Sequence, residues 1–301
     1  MDAKRRLDLA LDASEIGIYH IDLRTGTICA DARYLAMLGY SLREINPTLD
    51  WWRSALHPHE VDGANESLVE LINGDGERLR SEYRMRHRDG RWIWVEDRAR
   101  IAERDEHGQP LLIIGVHIDI SQRKRAEQKL AYQAEHDQLT HLLNRHSFLY
   151  SLKRVHAESQ RTQRPYCIAM LDLDLFKQVN DTYGHLVGDR VLSNFAKLLR
   201  RSLREADWAA RWGGEEFIVL MPNTEADQAQ RSMERLRKTL ATARFGMVEP
   251  PIRVTVSAGI AESSMDDRAG DEVIKRADTA LYAAKHLGRD RVCPASACQM
   301  A

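Results

Sequence analysis

The stretch RWGGEEFIVL (residues 211–220) decides how the second half of the chain folds. Two short apolar runs flank Gly213 and Gly214. A two-residue hairpin turn needs positive φ, which glycine adopts freely, so the stretch predicts two antiparallel strands joined at the glycines. A tip without Cβ atoms also lets ligand phosphates approach the backbone. Glu215 and Glu216 would leave this turn in a strand and point to opposite sides.

Length and composition predict a globular protein of two domains. The 301 residues are 43% hydrophobic and 30% charged, which provides enough apolar material for two cores. A formal net charge of −1 gives no field that would attract nucleic acid or an anionic membrane, so neither is expected as a partner. The longest apolar run, 111–116, is too short to span a bilayer, and the start of the chain lacks a signal-peptide pattern. We expect a cytoplasmic protein.

Changes of pattern along the chain predict four segments, namely a domain at 7–122, a helical linker at 123–136, a domain at 137–292 and a flexible tail at 293–301. The first domain alternates apolar and polar positions between Asp-Gly and His-Gly turns, as antiparallel hairpins do. The second alternates buried strands with amphipathic helices, which predicts an α/β sandwich.

The linker is rich in helix formers and contains no Gly or Pro. Ala126, Leu130 and Ala134 recur at four-residue spacing and would share one face of a helix. This pattern suits a solvated connector and a short coiled coil between two chains equally well.

A group of carboxylates is predicted near the hairpin tip. Asp172 and Asp174 end a strand of otherwise apolar residues, where an uncompensated charge would be costly. Asp172 beside Glu215 or Glu216 would form an oxygen-only cluster that suits Mg²⁺ or Mn²⁺ shared with substrate phosphates. Solvent-facing acids at strand ends are the other interpretation of each residue taken singly.

Basic and polar side chains near these acids could hold a nucleotide. Lys177 offers a point charge for a phosphate, while Asn180 and Asp189 could contact a base edge. Lys285 and Arg289 lie one helical turn apart and suit a triphosphate. A carboxylate at Asp189 would suit guanine, whose N1–H and N2–H₂ groups are donors, better than adenine.

Together these motifs resemble the GGDEF family of diguanylate cyclases. The resemblance is carried by GGEEF, by DLDLFKQVNDTYGHLVGD, by HDQLTHLLNR and by KRAD followed by LYAAKHLGR, at residues 213–217, 172–189, 136–145 and 275–289. The family usually has glycine after Leu-Thr, and this chain has His141. Because that position lies outside the predicted site, we interpret it as a turn variant.

The resemblance implies an adenylate-cyclase-like fold in which two domains of a homodimer, each holding GTP and Mg²⁺ or Mn²⁺, make cyclic di-GMP and two pyrophosphates. It implies a metal-binding and catalytic set in which Glu215 helps to deprotonate the ribose 3′-hydroxyl, composed of Asp172, the carbonyl of Leu173, Glu215, Glu216 and Lys177. It also implies a substrate-binding set consisting of Asn180, His185, Asp189, Gly213, Gly214, Lys285 and Arg289.

An Arg-x-x-Asp sequence, Arg204 and Asp207, precedes the two glycines. Such pairs are common at helix ends and mean little alone. At this offset the pair resembles the product-inhibition site of the family, which would bind cyclic di-GMP with help from Arg235.

Residues 7–122 resemble a PAS sensor domain, an antiparallel sheet with helices. The resemblance rests on GYSLREI, LHPHEVD, the hairpin YRMRHRDGRWIWVEDRARI and the ending DISQRKRAE. These motifs indicate the fold but leave its ligand unknown, with no ligand as one of the alternatives. A regulated cyclase is the resulting hypothesis, and a catalytically silent module that binds GTP or cyclic di-GMP is the alternative.

Overall fold

The structure, a computed structural model, describes residues 16–74, 78–243 and 252–298. Its contacts divide the chain into two units between Lys129 and Leu130. Within the described ranges, no helix is both long enough and apolar enough to cross a membrane.

The first unit is built on an antiparallel sheet in the order β2-β1-β5-β4-β3. Its strands are β1 Gly17–Asp22, β2 Thr27–Ala30, β3 Leu79–Arg86, β4 Trp92–Arg104 and β5 Pro110–Asp119. Three helices lie between β2 and β3 in the chain, namely α1 Ala32–Met37, α2 Leu49–Ala55 and α3 Val61–Asn73. The predicted antiparallel sheet with helices is confirmed, while residues 7–15 of the predicted domain lie outside the described residues.

The interior of this unit contains a polar network rather than a purely apolar core. The buried carboxylate of Asp97 accepts hydrogen bonds from the hydroxyls of Tyr19 at 2.6 Å and Tyr83 at 2.8 Å. Nε2 of His117 lies 3.0 Å from the Tyr83 hydroxyl, to which Trp52 donates. Burial and the charge of Asp97 raise the pKa of both tyrosines. The cavity among these side chains measures about 20 Å³, which is room for about one water molecule.

Helix α4, Ser121–Glu135, follows β5 and confirms that the linker is helical. Within the first unit, Glu82 of β3 binds Lys124 at 2.6 Å and Arg123 at 2.7 Å. Hydrogen bonds from these two residues lower the pKa of Glu82 to about 2. The side chain of Leu130 is 65% exposed in the single chain. The first turn of α4 is therefore fixed to its own unit, and the predicted apolar face carries an exposed leucine.

The second unit has a five-stranded sheet in the order β10-β9-β6-β8-β7. Its strands are β6 Tyr166–Leu173, β7 Trp208–Gly213, β8 Glu216–Pro222, β9 Val256–Glu262 and β10 Val292–Pro294. Its helices are α5 Arg145–Thr162, α6 Phe176–Tyr183, α7 His185–Ser202, α8 Ala226–Thr242, α9 Gly270–His286 and α10 Ala295–Cys298. Strand β10 runs parallel to β9, and the other pairs are antiparallel.

Helices cover both faces of this sheet, as the predicted sandwich requires. Apolar side chains of α7 and α8 pack on one face, and those of α5 and α9 pack on the other. All eight residues of β6, at the centre, are buried, which explains why its sequence is a continuous apolar run up to Asp172. The α/β fold of the second domain is confirmed.

The prediction of a flexible tail from Cys293 is wrong for its first residues. Val292–Pro294 forms β10, with Val292 opposite Ala258, and Ala295–Cys298 is helical. The backbone groups at the edge of β9 provide partners for this short segment, which local composition does not reveal. Residues 299–301 lie outside the described residues.

We expect Gly259→Ala to destabilise the second unit by at least about 2 kcal/mol, because overpacking forces the surroundings to shift. A Cβ at Gly259, in β9, would collide with the backbone of α9 at the carbonyl of Ala277 and the amide of Leu281. Differential scanning calorimetry would measure the effect.

The matched control is Gly63→Ala in α3, where a Cβ would meet no described atom within 4 Å. This change should stabilise its helix by about 0.5–1 kcal/mol. Equal unfolding temperatures for Gly259→Ala and the unaltered protein would contradict the steric argument.

Candidate active site of the second unit

The GGEEF hairpin differs from its prediction in where the turn lies. Strand β7 ends at Gly213 and β8 begins at Glu216, so the two turn residues are Gly214 and Glu215. Gly214 has φ of 53°, which explains why glycine is needed there. The prediction that Glu215 belongs to a strand is wrong, because Gly213 pairs with Glu216 and leaves Glu215 at the tip.

The hairpin tip is open to a ligand. A Cβ at Gly213 or at Gly214 would meet no atom of the described residues within 4 Å. Glu215 and Glu216 are both half-buried beside it. The space that the sequence predicts for phosphates is therefore present next to both carboxylates.

Strand pairing brings the predicted acids together. In the sheet, Asp172 at the end of β6 lies opposite Glu216 of β8. The amide of the next residue, Leu173, donates to the carbonyl of Glu215 at 3.3 Å. The end of the buried central strand and the tip of the hairpin consequently form one edge, at which Asp172, Leu173 and Glu215 are neighbours.

The electrostatics at this edge centre on Asp172. Burial raises the pKa of the Asp172 carboxyl, and the charges of Glu215 and Glu216 raise it further. Lys285 opposes the shift, since its Nζ lies 2.7 Å from Oδ2 of Asp172. The site thus holds excess negative charge, and in this structure a lysine ammonium group compensates part of it.

The oxygen atoms at this edge determine which kind of cation the site could hold. In the described ranges, no three His, Cys, Asp or Glu side chains form a group that could hold a metal ion by themselves. The carboxylates of Asp172 and Glu215 and the carbonyl of Leu173 are hard oxygen donors, and Lys285 already shows that a cation is favoured there. The set fits Mg²⁺ or Mn²⁺ that takes further ligands from phosphates, rather than an all-protein cage.

The candidate nucleotide residues lie on α6 and on the first turns of α7. Lys177, His185 and Asp189 are exposed, and Asn180 is half-buried. A Cβ at Gly188 would collide with Oδ1 of Asn180, so this glycine lets the amide lie against the start of α7. The structure therefore brings Asn180 next to the turn that carries Asp189.

The two basic residues at the end of α9 have different surroundings. Lys285 lies in the last turn and binds Asp172. Arg289 follows the helix, with φ of 62°, and its side chain is exposed. Its amide donates to the carbonyl of Ala284 at 3.1 Å, which closes the helix end. Arg289 is thus carried by a tight turn rather than by the helix.

Arg211 is a contact of the hairpin tip that the sequence prediction missed. Its Nε donates to the carbonyl of Gly214 at 2.9 Å, and its Nη1 lies 3.2 Å from Oδ2 of Asp137. Burial acts to raise the pKa of Asp137, but hydrogen bonds from Thr140 and Arg211 lower it below its ordinary value. Both residues fall within quoted motifs, RWGGEEF and HDQLT, but only the folded chain shows that they meet.

His141 occupies a left-handed position, with φ of 58°. Glycine tolerates this conformation without strain, which explains the residue usual in the family. The predicted turn is present, because the amide of His141 donates to the carbonyl of Asp137 at 2.9 Å.

A pocket of about 270 Å³ contains all three predicted product-binding residues, Arg204, Asp207 and Arg235. Oδ2 of Asp207 accepts from the amide of Arg204 at 3.0 Å, and burial raises the pKa of Asp207. Arg231 also lines the pocket, one helical turn before Arg235 on α8. In the sequence, the four-residue spacing of Arg231 and Arg235, which predicts that both share one helix face, is the signal that could have identified Arg231.

Comparison with known proteins finds a matching family model for each unit. A family model described as "Diguanylate cyclase, GGDEF domain" matches residues 134–291, and one described as "PAS fold" matches residues 27–117. The solved coiled coil and GGDEF domain of DgcB from Caulobacter crescentus, in complex with c-di-GMP, is similar with a TM-score of 0.55 and 33% identity, covering 58% of this chain and 93% of that one.

Curated relatives agree with the family models. Diguanylate cyclase DgcM of Escherichia coli K12 is 39% identical over 189 residues, or 63% of this chain and 45% of DgcM. Diguanylate cyclase DgcP of Pseudomonas aeruginosa is 44% identical over 156 residues, or 52% of this chain and 23% of DgcP. This chain therefore spans less than half the length of either relative. Because the GGDEF match covers more than half of its own residues, the chain belongs to the diguanylate cyclase GGDEF-domain family.

Proposed function

We propose that the protein is a diguanylate cyclase that condenses two molecules of GTP into cyclic di-GMP and releases two pyrophosphates. The observation that carries the proposal is the common edge of Asp172, Leu173 and Glu215 beside an open hairpin tip. Its oxygen donors suit a cation bound to a triphosphate. Relatives named as diguanylate cyclases support the same activity.

Asp172, the carbonyl of Leu173 and Glu215 would hold Mg²⁺ or Mn²⁺, with Glu216 close by. When bound, the cation neutralises phosphate charge and lowers the pKa of a hydroxyl near it. Because Glu215 lies at the open tip, it can reach a ribose 3′-hydroxyl and accept its proton. Lys177, exposed at the start of α6, would steady the transferring phosphoryl group.

Three residues near the start of α7 would recognise guanine and the nucleotide. Asp189 can accept from N1–H and N2–H₂ of guanine, and Asn180 and His185 flank it. Arg289 and Lys285 would bind the phosphates that leave as pyrophosphate. Gly213 and Gly214 leave room for the phosphate chain at the tip.

Two copies of the chain are needed, because the second unit of each copy offers one such site and the product joins two nucleotides. Helix α4 is suited to set their arrangement. Within the first unit its start binds Glu82, and within the second unit the carbonyl of Ala134 accepts from Nδ2 of Asn144 at 2.6 Å. The exposed Leu130 face would pair with that of a second copy, so that a change in the PAS unit alters how the GTP-loaded units meet.

Product would also act as an inhibitor. The pocket of Arg204, Asp207, Arg231 and Arg235 combines three guanidinium groups with one carboxylate. Guanidinium groups bind phosphates through paired hydrogen bonds, and the carboxylate can accept from a guanine edge. These are the two chemical features of cyclic di-GMP, which supports feedback inhibition.

Purified protein incubated with GTP and Mg²⁺ should form cyclic di-GMP, as resolved by chromatography. We expect Glu215→Ala to reduce turnover by about 100-fold or more, because it removes both a metal ligand and the proton acceptor. The matched control is Glu158→Ala, an exposed acid on α5, which should retain full activity. Absence of product from wild-type dimers that bind GTP would instead favour the silent binding module.

The product pocket predicts a change in the progress curve. Arg204→Ala and Arg231→Ala should each raise the product concentration needed for half inhibition by about tenfold or more, because each removes charged hydrogen bonds. Initial rates should be unchanged. Lys197→Ala, exposed on α7 and outside the pocket, is the control. Equally self-limiting curves for all variants would count against feedback through this pocket.

The linker hypothesis predicts a dependence on helical phase. Inserting two residues after Leu130 rotates the following helix by about 200°, whereas inserting seven residues restores the heptad face. We expect turnover to fall by about tenfold in the first variant and to recover substantially in the second, with both units folded by circular dichroism. Unchanged turnover after the two-residue insertion would refute the coupling.

A further inference from the structure

Asp174 is a buried carboxylate that has no role in the proposed reaction. The residue is only 6% exposed and follows directly after β6. Its Oδ1 accepts from the hydroxyl of Ser257 at 2.7 Å. Its Oδ2 accepts from the hydroxyl of Thr255 at 2.7 Å and from the amide of Asp290 at 3.1 Å. Three donors therefore converge on one side chain that can only accept when ionised.

The amide of Asp290 belongs to the turn that carries Arg289. Gly288, Arg289 and Asp290 have φ of 109°, 62° and 44°, so three consecutive residues are left-handed. A Cβ disfavours this conformation, and two of the three residues carry one. Such a turn persists only if the surrounding structure holds it.

Contacts on either side of the turn stabilise its conformation. Nη1 of Arg237, on α8, binds Oδ1 of Asp290 at 2.9 Å. The carbonyl of Arg291 accepts from the amide of Ala258 in β9 at 2.9 Å. The bond from the Asp290 amide to Asp174 joins the same turn to the end of β6.

Asp172 and Asp174 contact different groups at the end of α9. Asp172 lies in β6 and Asp174 directly follows the strand, and each contacts α9 or the turn after it. Asp172 binds the Lys285 side chain, whereas Asp174 binds the backbone beside Arg289. The Lys285 side chain and the turn that carries Arg289 are thus both anchored where β6 ends.

We propose that Asp174 is a positioning residue for the phosphate chain of the nucleotide: it fixes the Gly288–Arg291 turn and so aims Arg289 at the phosphates. This inference rests on the proposed function, in which Arg289 binds the triphosphate. Asp174 itself does not touch the nucleotide. Its effect must therefore depend on Arg289 and on the presence of the phosphates that Arg289 binds.

The test measures binding by calorimetry with 3′-deoxy-GTP and Mg²⁺, because this nucleotide lacks the attacking hydroxyl and cannot react. We expect Asp174→Ala to weaken 3′-deoxy-GTP binding by about tenfold, as loss of a charged contact predicts, and to leave GMP binding unchanged. In the cyclase assay the KM for GTP should rise, with turnover at saturating GTP changed by less than about threefold.

A double-mutant cycle decides whether Asp174 acts through Arg289. Arg289→Ala should weaken 3′-deoxy-GTP binding, and adding Asp174→Ala to it should cause no further loss. Additive losses, or equal losses for GMP and 3′-deoxy-GTP, would overturn the proposal.

Conservative variants separate positioning from a general loss of structure. Asp174→Asn should bind 3′-deoxy-GTP as wild type does, because its amide oxygen can accept from Asp290 while its NH₂ donates to the Ser257 hydroxyl. Thr255→Val removes a different donor and should also bind normally. If Asp174→Ala fails to fold, Arg237→Met loosens the same turn from the side of α8 and should give the same selective loss for 3′-deoxy-GTP.

The failures of the two proposals are distinguishable. A wild-type protein that binds 3′-deoxy-GTP but makes no cyclic di-GMP from GTP would contradict the cyclase alone. Normal cyclase activity with unaltered 3′-deoxy-GTP binding by both Asp174→Ala and Arg237→Met would contradict the positioning role alone.

Discussion

The central constraint of the second unit is a fully buried strand with one carboxylate near its end, Asp172, and another directly after it, Asp174. Strand β6 is covered on both faces, so the charges at Asp172 and Asp174 must be compensated where the strand ends. Lys285 and the hydroxyl and amide donors around Asp174 provide that compensation. Thr255 directly precedes β9 and Ser257 lies in it, while Lys285 and Asp290 belong to α9 and to the turn after it. Compensation of these two acids thus ties the start of β9 and the end of α9 to the edge of the sheet that carries the hairpin tip.

Much of this arrangement could be predicted from the sequence, because its local signals agree with the fold. The apolar run before Asp172, the two glycines and the helix periodicity each specify an element without tertiary information. The shift of Glu215 from strand to turn could not be predicted, since it depends on the pairing of Gly213 with Glu216. The contact of Arg211 with Asp137 joins residues far apart in the chain, which only packing reveals. The short strand at Val292 was missed for the same reason: its partner edge lies on β9.

The polar groups around Asp97 in the first unit and those around Asp172 in the second unit differ in how completely their charges are compensated. In the first unit the groups around Asp97 bond to one another around a cavity of about 20 Å³. In the second unit the acids lie beside an open tip, and Lys285 compensates only part of their charge. A network whose members satisfy each other defines one packing, whereas an incompletely compensated edge favours the binding of a further cation. The second unit is therefore the part of the chain whose geometry favours a charged ligand.

The pKa of Asp172 shows the cost of such a site. Since burial raises this pKa, the folded chain binds a proton there more tightly than the unfolded chain does. The resulting stability is complete below the ordinary carboxyl pKa and is lost as the pH rises through the raised value. Above the raised pKa the ionised carboxylate weakens the fold, and Lys285 offsets part of the loss. Asp174, by contrast, accepts hydrogen bonds from Thr255, Ser257 and the amide of Asp290, which belong to the fold itself. Two acids at the end of β6 can thus have different roles, because the fold supplies the hydrogen-bond donors of Asp174, whereas the charge of Asp172 is only partly compensated and favours a further cation.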